Sequence, residues 1–186
     1  MLASRKVSKY IKCSTDLKDR TIIFNGVSKA YSMTGWRIGY AAGNKEIIKK
    51  MKTLQSQSTS CASSVSQYAA ISALTQKCEE LPKMNAEYKE RHDYVVKELN
   101  NIPGVTCKET DGTFYVFPSF TKYIEESQKI NNDDELAMYL LNEGKVAVVP
   151  GSAFGMSGHL RLSIALDLKS LEIAMNRIKK TLNNDE

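Results

Sequence analysis

Apolar and polar residues follow two periods along this chain, and the changes of period mark its elements. Thr21-Ile-Ile-Phe24 is a short apolar run closed by Asn25-Gly26, and Arg37-Ile-Gly-Tyr-Ala-Ala42 is a second. Both have the length and the boundaries of buried strands. Asn44 is suited to cap a helix, and after it Ile47, Ile48, Met51 and Leu54 recur at helical spacing, which predicts a helix through Gln57. Val65, Tyr68, Ala69 and Leu74 predict another over 64–76, with the small polar stretch 56–64 as a loop or frayed helix end. Residues 79–101 read as one long amphipathic helix, in which Pro82 is tolerable in the first turn and Pro103-Gly104 marks the end.

Beyond that helix the period changes more often. Strands are predicted near 105–108, over the alternating stretch 112–118, at 146–149 and at 160–165; helices are predicted over 133–143 and 168–182. That order fits a small α+β unit. Along the last strand Leu160, Leu162 and Ile164 share one face and are assigned to the core, so His159, Arg161 and Ser163 project together from the other. Residues 1–20 have no clear period and end in the charged run Asp16-Leu-Lys-Asp-Arg20. No internal repeat or low-complexity tract is present.

Composition narrows the class. A chain of 186 residues that is 42% hydrophobic can bury a sizeable core in one or two domains. The break before the long helix suggests a division into 1–78 and 79–186. No apolar run approaches the roughly 20 residues of a membrane span, and the basic amino terminus lacks the apolar segment of a signal peptide, so a cytoplasmic location is expected. Cys13, Cys61, Cys78 and Cys107 form no C-x-x-C pair, which argues for reduced thiols rather than a zinc site or a disulfide framework. The net charge of +5 is spread along helices among glutamates and reads as solvated surface, not as a nucleic-acid footprint.

The candidate chemistry lies between the first two strands, in Asn25-Gly-Val-Ser-Lys29-Ala-Tyr-Ser-Met-Thr-Gly-Trp-Arg37-Ile-Gly-Tyr40. A lysine among small and hydroxyl residues, flanked by apolar runs, is placed for partial desolvation, which favours the neutral amine and makes it a nucleophile toward carbonyls. Arg37 offers a planar fork for a phosphate. A lysine beside a phosphate clamp suits pyridoxal 5'-phosphate, whose aldehyde and phosphate need these two groups. Arg161, on a rigid strand, is suited to hold a planar carboxylate through two parallel hydrogen bonds. His159 reads as its neighbour rather than as a catalyst or metal ligand.

Ser28 to Tyr40 resembles the S-K-x-Y-x-M-T-G-W-R-I-G-Y motif of the fold-type I pyridoxal-phosphate aminotransferases, specifically the aspartate aminotransferase branch, and includes the single tryptophan, Trp36. Pro150-Gly-Ser-Ala-Phe-Gly155 and Leu160-Arg-Leu-Ser163 resemble that family's P-G-x-x-F-G and L-R-L-S segments. The resemblance implies an α/β chain, with part of the large cofactor-binding domain over 1–78 and a small α+β carboxyl-terminal domain over 79–186, entered through the long helix. It implies Lys29 as cofactor anchor and proton carrier, Arg37 on the cofactor phosphate and Arg161 on the substrate α-carboxylate. The reaction implied is transfer of an amino group between an amino acid and a 2-oxo acid, with aspartate and 2-oxoglutarate the expected pair. A homodimer is implied for the complete enzyme. Gly112 to Pro118 looks like the family's small-domain strand; its aromatics are expected in the core, with Phe114 the candidate for the active-site wall.

Two departures qualify the resemblance. Cys61-Ala62 stands where many members have an S-N-P turn. The likeness also spans only the carboxyl-terminal half of a typical member: residues 1–28 contain no glycine-rich phosphate loop, no aromatic to stack on the cofactor ring and no D-x-x-Y acid. Three readings stay open: half of an aminotransferase completed by a chain supplying the rest, a truncated inactive remnant, and a non-enzymatic association module. Without the remaining sheet, an apolar face near 21–42 is expected to lie exposed.

Overall fold

The computed structural model describes residues 20–183, which divide into two compact units, one reaching to Lys83 and the other beginning at Met84. In the first, β1 (Ile23–Gly26) leads directly into a single helical turn, α1 (Val27–Ala30), then a 3-10 turn (Thr34–Trp36) and β2 (Gly39–Ala42). The two strands pair antiparallel, with Gly26 opposite Gly39. A Cβ on Gly26 would lie 3.0 Å from the Ile38 carbonyl oxygen, so the backbones meet where a side chain barely fits. β2 is two residues shorter than the sequence predicts, because Arg37 takes a left-handed φ of 53° that a strand ladder does not accommodate. Asn44 caps α2 (Lys45–Ser58) as expected, its side chain accepting the Glu46 N–H at 2.9 Å. α3 follows over Ser64–Thr75.

Burial in this unit departs from the pattern of the sequence. Its core is small: Val27, Ile38 and Ala70 are buried, with Tyr31, Met33 and Ala62 packed against them. α3 buries Ser66 and Ala70, not the stripe of Val65, Tyr68 and Leu74. Small side chains on that face let the helix come close to Val27 and Ile38, and the large ones are left outside. Phe24, Leu54 and Tyr68 are 69%, 72% and 76% exposed, and Trp36, Tyr40 and Ile47 are exposed as well. The expected exposure of apolar residues around 21–42 is therefore present, and it extends to both following helices.

The second unit holds a larger core. Most of α4 (Glu80–Asn100) belongs to it, burying His92, Val95, Val96 and Leu99. Val95, Val96 and Leu99 pack with Leu136, Ala137 and Leu140 of α6 (Asp133–Asn142) and with Leu171, Met175 and Ile178 of α7 (Leu168–Asn183). A three-stranded antiparallel sheet, in the order β3 (Tyr115–Val116), β5 (Leu160–Ser163), β4 (Val149–Pro150), covers this core. A short helix that the sequence does not announce, α5 (Thr121–Glu126), follows β3.

The strand predicted near 105–108 forms only an isolated bridge, Thr106 to Ser119. Its backbone is satisfied differently: the Asn100 side chain at the end of α4 accepts the Cys107 N–H at 2.8 Å and donates to the Cys107 carbonyl at 2.9 Å. The predicted strands 112–118 and 146–149 likewise shrink to two residues each, the second now shifted onto Val149–Pro150. Asn132 caps α6 and Glu135 reaches back to the Asn131 N–H at 2.8 Å, a variant of the capping box. Among the described residues no helix is long and apolar enough to cross a membrane.

Candidate active site

Lys29 and Arg37 leave the same end of the β1–β2 hairpin. Lys29 lies three residues beyond Gly26 and Arg37 two residues before Gly39, and Gly26 and Gly39 are register partners. α1, which carries Lys29, touches the 3-10 turn that Arg37 caps. Two non-glycine residues, Ser32 and Arg37, bracket that turn with φ of 52° and 53°. Such conformations cost about 1–3 kcal/mol each and gather at ligand clamps, where the surrounding structure enforces them. The Arg37 Nη1 donates to the Thr34 carbonyl at 3.2 Å, which curls the guanidinium back over the turn.

Both side chains are exposed. For Lys29 this differs from the partly desolvated setting that the sequence suggests: β1 and β2 form a sheet of two strands, and its neighbour Val27, not Lys29, is the residue of that turn buried in the small core. Residues 25–40 contain no carboxylate. An amine and a guanidinium at one hairpin end, with the Ser28 and Ser32 hydroxyls on the same connection, form a donor set that fits an aldehyde and a phosphate.

Arg161 belongs to the second unit. The alternation along β5 is as expected: Leu160, Leu162 and Ile164 are buried, and Arg161 and Ser163 lie on the opposite face. Tyr115 is the register partner of Ser163, which makes it the diagonal neighbour of Arg161 on that face. The guanidinium carbon lies 4.4 Å from the Tyr115 ring centroid and 4.5 Å from that of Phe154. Phe117 meets Phe154 edge-on at 6.2 Å, and His159 stacks on Phe117 at 5.2 Å. The His159 Nδ1 bonds the Ser157 carbonyl at 3.0 Å, consistent with a neighbouring role.

No ion pair to Arg161 forms among the described residues; aromatic faces hold it instead. Phe114, the candidate for the site wall, packs on the core side. Strand alternation gives the open face to Tyr115 and Phe117. That signal is present in the sequence, since Leu162 fixes Val116 as its inward partner, but it requires the register between two distant strands.

Phe154 sits in a loop whose shape glycines dictate. A Cβ on Gly151 would lie 2.3 Å from the Met156 carbonyl oxygen, and Gly155 and Gly158 have φ of 76° and 72°. The buried carboxylate of Asp133 accepts the Ser152 N–H at 2.8 Å and the Gly158 N–H at 3.1 Å. Burial alone would raise its pKa, but these backbone bonds, with the Ser152 hydroxyl, outweigh burial and lower it. Among the described residues no cluster of three or more His, Cys, Asp or Glu could hold a metal ion.

Comparison with known proteins places the chain. The model of the family described as aminotransferase class I and II matches residues 3–178. The chain belongs to this family. An aspartate aminotransferase of Bacillus subtilis is 47% identical over 167 residues, covering 90% of this chain and 42% of that protein. An aspartate/prephenate aminotransferase of Cereibacter sphaeroides is 48% identical, with 88% and 42% covered. A crystal structure of the aspartate aminotransferase from Rhizobium meliloti superposes with a TM-score of 0.88 at 42% identity, covering 93% of this chain and 44% of that one. The chain thus spans less than half the length of these relatives. Members of the aminotransferase class I and II family are enzymes that use pyridoxal phosphate, and the lysine, arginine and strand arginine above lie within the matched region.

Proposed function

We propose that this chain carries part of the cofactor site and the substrate-carboxylate site of a pyridoxal-phosphate aminotransferase acting on aspartate and 2-oxoglutarate. Residues 1–78 correspond in this reading to part of the large domain and 79–186 to the small domain. The observation that carries it is the emergence of Lys29 and Arg37 from one hairpin end.

Lys29 is the covalent anchor, and its amine moves the proton at the substrate α-carbon; one group thereby serves as anchor and as general acid and base. Arg37 balances the phosphate charge, and Arg161 orients the amino acid through its α-carboxylate. Bound pyridoxal phosphate supplies the electron sink that makes α-proton removal feasible. The working assembly is a cytoplasmic dimer of the complete enzyme, or this chain joined to one that supplies the remainder of the sheet. Exposure of Phe24, Trp36, Tyr40 and Tyr68 favours a first unit that functions against further polypeptide.

The test is direct. The chain is incubated with pyridoxal phosphate, reduced with borohydride and mapped by mass spectrometry. Label concentrated on Lys29 and lost in Lys29→Ala supports the reading, whereas even labelling of surface lysines overturns it.

A further inference from the structure

The loop 151–158 is glycine-rich, with Gly151, Gly155 and Gly158 among its eight residues, so its unfolded backbone has much freedom to lose. Its internal bonds are few. The Gly155 N–H donates to Ser152, and the Met156 N–H donates to the Gly151 carbonyl. Yet this loop presents Phe154 to the guanidinium of Arg161 at 4.5 Å. Backbone bonds tie its ends to the neighbouring strands, Gly151 N–H to the His159 carbonyl and Phe120 N–H to the Gly158 carbonyl, each at 2.7 Å; what ties it to the helices of the core is a side chain.

Asp133 does so from the first turn of α6, where it is 2% exposed. It is not needed there as a cap: Asn132 already accepts the Glu135 N–H at 2.8 Å. The two oxygens of Asp133 go instead to the loop, Oδ2 to the Ser152 N–H near its start and Oδ1 to the Gly158 N–H at its end. α6 is itself held in the core by Leu136, Ala137 and Leu140, so the carboxylate transmits the rigidity of that helix to the loop.

We infer that Asp133 is a positioning residue for the carboxylate site at Arg161: its buried carboxylate ties both ends of loop 151–158 to α6 and keeps Phe154 against the guanidinium. The role rests on the reading of Arg161 as the carboxylate-binding residue, but the linkage from Asp133 to Phe154 to Arg161 is testable apart from it. With Phe154 and Tyr115 around its head group, Arg161 presents its N–H edge in one orientation. Without the anchor, the loop carries Phe154 away and the arginine samples more rotamers.

The experiment uses the full chain labelled with nitrogen-15. The Arg161 Nε–Hε resonance is followed in the unmodified protein, in Phe154→Leu and in Asp133→Asn, each with and without succinate as a carboxylate probe. Loss of the Phe154 ring moves the resonance in Phe154→Leu, and Asp133→Asn is expected to move it in the same direction, with circular dichroism unchanged. Succinate binding is expected to weaken about three- to tenfold in both variants. An Arg161 resonance that moves in Phe154→Leu but stays in place in Asp133→Asn overturns the positioning role. If Asp133→Asn fails to fold, hydrogen exchange in the unmodified chain decides: joint protection of the Ser152 and Gly158 N–H groups supports the anchor, and free exchange at both overturns it. Resonances that move as expected while succinate never perturbs Arg161 would defeat the carboxylate reading and leave the linkage intact.

Discussion

Asn100 joins to Cys107 through two hydrogen bonds, accepting its N–H at 2.8 Å and donating to its carbonyl at 2.9 Å. One side-chain amide thus stands in for a strand partner. It ties the last turn of α4 to the start of the chain's return toward the sheet, beside the buried Val105 and Ile102. Truncation leaves both backbone groups of a buried residue without this partner. Asn100→Ala is expected to destabilise the chain by about 1–3 kcal/mol. Urea unfolding of the full chain checks this, and equal midpoints for the unmodified protein and Asn100→Ala would refute it.

Acid should loosen the second unit through Asp133. Its pKa in the folded chain lies below the ordinary 3.8, because bonds from Ser152 and Gly158 outweigh the effect of burial. A group with a depressed folded pKa contributes stability that is full above its unfolded pKa and is lost as pH falls through the folded one. The loss therefore begins near about pH 4 and deepens below it. Urea midpoints measured from neutral pH downward are expected to fall more steeply for the unmodified chain than for Asp133→Asn. Parallel profiles would show that Asp133 contributes nothing to the acid response.

Cys107 and Cys61 are expected to differ in reactivity. Burial pushes the Cys107 thiol up to about 11, only partly offset by a backbone bond from Phe117, while Cys61 is exposed. At pH 8 only roughly one Cys107 thiol in a thousand is ionised, and its access is blocked as well. Brief maleimide treatment followed by peptide mapping should find label on Cys61 well before Cys107. Simultaneous labelling would mean that the core around Val105 and Val116 opens readily.

The elements of the chain were largely legible in its sequence because their signals are local. Asn44 caps α2 and Asn132 caps α6 through side-chain bonds to amides two or three residues away, and Leu160, Leu162 and Ile164 alternate inward as the period of a strand requires. Burial was less legible. Val65 and Tyr68 keep helical spacing yet lie exposed, because α3 meets the small core of its unit through Ala70, against Val27 and Ile38. The strand expected at 105–108 failed because a side chain supplied the bonds that a neighbouring strand would have made.

Sequence by itself determined the candidate groups Lys29, Arg37 and Arg161 and the family they point to. Those are set by side-chain chemistry and by motifs, which belong to single residues and short spacings. Tertiary structure alone decided that Lys29 is exposed at a hairpin end, that Tyr115 rather than Phe114 flanks Arg161, and that Asp133 holds the loop bearing Phe154. Each of these depends on contacts between residues far apart in the chain, where strand register and close packing select one partner from many that local pattern allows.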